Sequence, residues 1–288
     1  MVLLELSAST PGGGTVIVDP PNGPYLNGSM AQATATPAPG WKLLQWLGDA
    51  TGTNQSLTID VNRNKYLAAI FGTSLSTAPL ISVSPQSDYY PYGTPVRLTA
   101  LPPTGLYFLS WSGAATGADN PLRLTVTQAS QSISCQFAPL YPGQFALTVI
   151  EDGAGTALVA PRANSYSSGQ TVTLTAAPDS GQDFLGWSGA VTAAQNPLIV
   201  TMTSNLIITA NFTMRPTLKA GTPLEGLVED GFRLTLTGEF GTSYTVLGST
   251  NLSHWTPAGT ATDTYGTVQF IDPAATNVAQ RFYRALAN

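Results

Sequence analysis

Tyr166-Ser167-Ser168-Gly169, Pro178-Asp179-Ser180-Gly181 and Trp187-Ser188-Gly189 are the third occurrence of one pattern, Tyr-x2-Gly-x8-Pro-x2-Gly-x5-Trp-x-Gly. The second runs through Tyr90, Gly93, Pro102, Gly105, Trp111 and Gly113. The first runs through Tyr25, Gly28, Pro37, Gly40, Trp46 and Gly48. Six positions recur three times without a spacing error, so the chain is a string of related small domains. A tryptophan at one register in each copy is most economically a core anchor. The Pro-x2-Gly units are turns, and glycines at fixed offsets point to positive φ or close backbone approach. Trp46, Trp111 and Trp187 are assigned to the repeat cores, together with Phe71, Phe137 and Phe212 at the ends of the last strands.

Each copy reads as β, most clearly the third. Phe145–Ile150 is a strand, Glu151–Gly155 a turn, and Thr156–Ala160 the return. Thr171–Ala176 alternates with period two, and 198–202 and 206–212 supply the last strands. No stretch carries a sustained 3.6-residue period with caps, so almost no helix is expected. The second copy, with only Ser84–Tyr89 between its first apolar run and Tyr90, reads as having lost its first hairpin. The expected class is all-β: a tandem array of three small domains at 1–74, 75–139 and 140–214, then a distinct β-sandwich-like module at 215–288. Gly72–Pro79 reads as a Ser/Thr-rich linker, Ala138–Gly143 as a short proline-stiffened one, and Gly221-Thr222-Pro223 as part of the lead into the last module.

Only 9% of the 288 residues are charged, while 43% are hydrophobic. The chain can therefore bury cores beneath a neutral, hydroxyl-rich surface. The net charge of −5, without a basic cluster, excludes nucleic acid as the expected partner. No apolar run is long enough to insert into a membrane. The opening Met1–Ser7 lacks the parts of a signal peptide, and Met1 reads as an added start on a trimmed fragment. One cysteine, Cys135, excludes an internal disulfide; it stands where the other copies have Ala69 and Ala210, and reads as a buried thiol.

The pattern Tyr-x2-Gly, Pro-x2-Gly, Trp-Ser-Gly, Asn196-Pro197-Leu198 and Ala210-Asn211-Phe212 resembles the divergent internalin-type B-repeat of bacterial surface and secreted proteins. The second copy keeps Asn120-Pro121-Leu122, whereas the first has Trp46-Leu47-Gly48 and no Asn-Pro. The resemblance covers roughly 3–213 and implies a secreted or cell-surface location, as stalk, spacer or adhesin, or beside a carbohydrate-active enzyme. The tail, through Ser243-Tyr244-Thr245-Val246, Phe270-Ile271-Asp272-Pro273 and Arg281-Phe282-Tyr283-Arg284, resembles a C-terminal module of secreted proteins from Verrucomicrobia-type bacteria.

Catalytic parts are few. The single histidine, His254, reads as a solvated turn residue, and no Gly-x-Ser-x-Gly elbow surrounds a serine. The acidic neighbours Glu151-Asp152 and Glu229-Asp230 fall in turns and read as solvated. Asp60-Val61-Asn62-Arg63-Asn64 begins like a calcium loop but lacks its glycine and terminal glutamate. The expectation is a non-enzyme with no cofactor and no metal. Binding signal lies in aromatics outside the repeat framework: Tyr89, Tyr92 and Trp41 first, then Tyr107, Tyr141 and Tyr265, whose faces suit sugar C–H surfaces. The expected partners are a polysaccharide, another surface protein, or a second copy of the chain pairing through exposed strand edges.

Overall fold

The structure is a computed structural model and describes residues 3–21, 23–220, 227–228 and 231–288. Met1, Gly221-Thr222-Pro223 and the Glu229-Asp230 pair lie outside these residues. Among the described residues the chain is strand and turn throughout, with one short 3-10 helix at Pro273–Asn277.

Each copy is two small sheets facing across a core. In the third copy, Gln144–Asp152 runs parallel to Leu206–Phe212, which pairs antiparallel with Phe184–Gly189. The opposing sheet is Gly155–Ala160, Thr171–Pro178 and Leu198–Thr201. Val172, Leu174, Trp187, Met202 and Ile208 close the space between them at 2% exposure or less. The first two strands are therefore not a hairpin. They carry the chain across the core, one into each sheet. The same holds in the first copy, where Leu6–Ser9 pairs with Lys65–Thr73 and Gly14–Asp19 with Ser29–Pro37.

This layout corrects the reading of the second copy. Leu75–Thr77 pairs parallel with Gln131–Pro139, and Ile81–Ser84 pairs with Thr94–Ala100. Both arms are present, joined by the short connection 78–80. The expected linker Gly72–Pro79 is likewise structured. Gly72 and Thr73 end the last strand of the first copy and pair with Pro91 and Tyr90 of the second. One copy runs into the next almost without a break in β structure.

The recurring residues do the same local work three times. Tyr25, Tyr90 and Tyr166 each donate from the phenol to the carbonyl five residues earlier, at Pro20, Pro85 and Pro161. Trp46, Trp111 and Trp187 are buried and donate Nε1–H to the carbonyl eight residues later, at Asn54, Asp119 and Gln195. The Trp-x-Gly glycine has φ between +84° and +97° in all three copies, and a Cβ there would lie 2.1–2.6 Å from a carbonyl of the neighbouring strand. Only glycine fits both constraints. Asn120 and Asn196 extend a strand ladder by bonding both the N–H and the C=O of Ala100 and Ala176. The first copy lacks that asparagine, and the Gln55 carbonyl accepts from Ala35 in its place. Phe71 and Phe212 are buried in their copies; Phe137 is half-buried against the second core, as is Cys135. Burial raises the Cys135 thiol above its ordinary value.

The C-terminal module packs Thr217–Ala220, Gly231–Thr237 and Val268–Asp272 against Thr242–Ser249, Thr256–Asp263 and Phe282–Ala287. Leu234, Leu236, Tyr244, Val246 and Phe270 form its core.

Candidate ligand cleft

The four units dock on one another. The whole chain exposes 14308 Å². One compact globule of 30.0 kDa would expose about 11,700 Å², and four separate quarters about 17,000 Å². On that scale on the order of 2,700 Å² is buried between units in total, which spread over several junctions is the size of ordinary inter-domain contacts within one chain.

Three junctions stand out. Trp41 of the first copy leans on Tyr92 of the second, ring centroids 5.5 Å apart, and Lys42 Nζ sits 3.0 Å from the centre of the Tyr89 ring. Tyr90, Val96 and Val126 form a small core beside them, reached by Trp41 from one side and by Phe240 of the C-terminal module from the other. Between the second and third copies, Arg97 and Arg123 stand side by side on adjacent strands and both pair with Glu151 at 2.8 Å. Arg97 also donates to the carbonyls of Glu151, Gly153 and Gly155. Glu151 ends a strand, is 4% exposed, and takes the Ala157 N–H as well. The expectation that Glu151-Asp152 is a solvated acidic pair holds only for Asp152; the two arginines of the preceding copy draw Glu151 into the interior.

The third junction joins the first copy to the C-terminal module. Asp49 accepts from Arg63 at 2.8 Å and from Arg233 at 2.6 Å, while the Tyr66 N–H donates to its other oxygen. Burial alone would raise the Asp49 carboxyl; the donors Arg63, Tyr66 and Arg233 together outweigh it and hold the group below the ordinary value. Beside this cluster the side-chain amide oxygen of Gln269, Oε1, accepts from the Gly48 N–H at 2.6 Å.

Because the last module returns to the first copy, the units surround a cleft of about 1660 Å³ with walls from all four. Tyr92, Phe240, Tyr265 and Tyr283 supply aromatic rings, and Gln45, Thr94 and Thr267 supply amides and hydroxyls. Burial first, then the Asp272 carboxylate, pushes the Tyr283 phenol up to about 12, so it stays a neutral donor, here to Asp272 at 3.1 Å. Of the aromatics singled out from sequence, Tyr92 and Tyr265 meet in this cleft. Trp41 stacks behind Tyr92, Tyr89 carries Lys42 on its face, Tyr107 is half-buried, and Tyr141 is 72% exposed elsewhere. Phe240 and Tyr283 gave no sequence signal as site residues, since their role exists only once distant units meet.

His254 is exposed in its turn, its N–H held by Asn251. The Asp60–Asn64 stretch is a strand end and turn in which Asn64 caps the Glu5 N–H and Arg63 bonds Asp49. Among the described residues no group of three or more His, Cys, Asp or Glu gathers in metal-binding fashion, and no helix is long and apolar enough to cross a membrane.

The divergent InlB B-repeat domain family matches residues 4–74, 81–140 and 145–216. The chain belongs to that family. It carries three tandem copies, and the match ends before the C-terminal module. These are bacterial surface repeats, generally without catalysis, and membership points to an extracellular or cell-surface setting. No curated protein sequence matches the chain.

Proposed function

We propose that this region is a non-catalytic binding segment of a secreted or cell-surface bacterial protein, an adhesin element that holds a polysaccharide in the cleft between its units. The observation that carries the reading is the cleft itself. Its volume of about 1660 Å³ exceeds the roughly 300–1,000 Å³ of a small-molecule pocket and suits several units of a chain ligand. Aromatic faces beside amides and hydroxyls fit sugar rings, which offer C–H surfaces and hydroxyl edges. An extended spacer has no use for a last module that docks back on the first. Of the residues chosen from sequence, Tyr92 and Tyr265 fit the contact role best; Trp41 fits the role of supporting Tyr92, and Tyr89, with Lys42 on its face, that of joining the first two copies.

The test is retention on a panel of soluble and insoluble polysaccharides. Tyr92→Ala with Tyr265→Ala should abolish retention while the thermal melt stays cooperative, and Tyr89→Ala should not. Failure of the unaltered chain on every glycan refutes the reading. A second reading, self-association, is favoured by the outer sheet faces of the first and third copies, where Ile17, Met30, Leu158 and Ile199 are 58–62% exposed. Sedimentation that gives a single monomeric species at high concentration would exclude it.

A further inference from the structure

Strand parity sets the chemistry of a second, smaller cavity. In the C-terminal module Leu234, Leu236 and Phe270 point into the core, so Arg233, Thr235 and Gln269 face outward from the same strands. In the first copy Leu67, Ala69 and Phe71 are core, so Tyr66, Ala68 and Ile70 face outward. These two outer faces meet, and between them lies a cavity of about 440 Å³. Hydroxyls of Ser9, Thr10, Tyr66 and Thr235 line it, with Leu47 and Ile70 as apolar wall.

Arg233 is the unusual member. It is 3% exposed, and its only ion pair among the described residues uses Nη2 on Asp49, a carboxylate already shared with Arg63. Its Nε and Nη1 are buried without any hydrogen-bond partner. Buried guanidinium N–H groups left unmet are costly, and an anion is the partner that satisfies them best. Hydroxyl-bearing walls beside an unmet cation, in a cavity at the lower end of ligand-pocket sizes, fit a sugar bearing a carboxylate.

From this we infer that the seam between the first copy and the C-terminal module is a binding site for an acidic sugar, with Arg233 meeting the carboxylate and Tyr66 and Thr235 meeting hydroxyls. The cavity adjoins the large cleft, sharing Pro11, Leu47 and Ile70 with it, but the inference rests on Arg233 and does not depend on the function proposed for that cleft. Calorimetric titration of the full chain with glucuronate, glucose and acetate tests it. Glucuronate should bind at least about tenfold tighter than either of the others, one charge-assisted contact separating it from glucose and the hydroxyl contacts separating it from acetate. Arg233→Lys keeps the charge, removes the planar donors, and should lose the preference over glucose. Should that variant melt early, Tyr66→Phe with Thr235→Val serves in its place and should weaken glucuronate several-fold. Tyr92→Ala should leave this titration unchanged. Equal binding of glucose and glucuronate, acetate matching glucuronate, no heat from glucuronate, or unaltered affinity in the Tyr66/Thr235 variant would each overturn the assignment.

Discussion

Replacing Glu151 by glutamine removes one charge from the seam between the second and third copies and keeps the side chain's shape. The Glu151 side chain is 2% exposed and that of Arg97 11%, so this is a buried pair. Breaking such a pair from one side costs about 3–5 kcal/mol, because the remaining guanidinium stays buried without its counter-ion. The Arg123 side chain is 50% exposed, so its share is discounted to about 0–1 kcal/mol for solvent screening. Arg97 keeps three carbonyl acceptors and the glutamine oxygen can still accept from Ala157, which places the expected loss at the lower end, about 3 kcal/mol. The assay is urea unfolding followed by tryptophan fluorescence, since Trp111 and Trp187 sit in the two cores either side of the seam. A double-mutant cycle with Arg97→Met should give a coupling of about 1–3 kcal/mol, and Arg97→Met with Glu151→Leu should be more stable than Glu151→Gln alone. A loss below about 0.5 kcal/mol for Glu151→Gln, with an additive cycle, would mean the copies do not dock through this pair, as for a surface ion pair.

Asp49 should confer acid sensitivity on the seam it holds: a depressed carboxyl contributes stability above its unfolded value of roughly 3.9 and loses it as pH falls through the lower folded value. Urea midpoints between neutral and acid pH should therefore fall less in Asp49→Asn than in the unaltered chain. Trp187→Phe orphans the Gln195 carbonyl and leaves a void in the third core, and a loss of about 2–4 kcal/mol is expected in chemical denaturation. Gly48→Ala forces φ +97° on alanine and a Cβ into the Tyr66 carbonyl, and should lower the melting temperature more than Gly52→Ala, which has open space around it. Cys135 should react with a thiol reagent several-fold more slowly in the native chain than in denaturant, as its raised thiol and half-burial imply.

The repeats were legible because each motif position acts inside its own copy. The tyrosine reaches five residues back, the tryptophan eight forward, and the glycine avoids a carbonyl on the next strand. Local constraints of that kind recur at fixed spacing and stand out in one sequence. The seams were not legible, because their partners are far apart in the chain. Arg97 and Arg123 do mark a departure, standing where the first copy has Gln32 and Thr58 and the third Thr173 and Ile199. That difference flags a special face, but nothing near it in sequence names Glu151 as the partner. The second copy read as missing an arm because its first strand, Leu75–Thr77, lay hidden in what composition marked as linker, so the apolar run at Ile81–Ser84 passed for the first strand when it is the second. The cleft needed all of these seams at once, so Tyr92 and Tyr265 could be picked as aromatics outside the framework but not placed together.

Small-angle X-ray scattering of the monomer tests most directly whether the units close around a shared cleft. A chain of this length folded back on itself should give a radius of gyration of about 20 Å, whereas four independent domains strung end to end should give roughly 30 Å or more. The docked arrangement gives the smaller value, unchanged by moderate salt because the seams are buried. The larger value, or a broad distribution reaching it, would contradict the docked arrangement and with it the cleft.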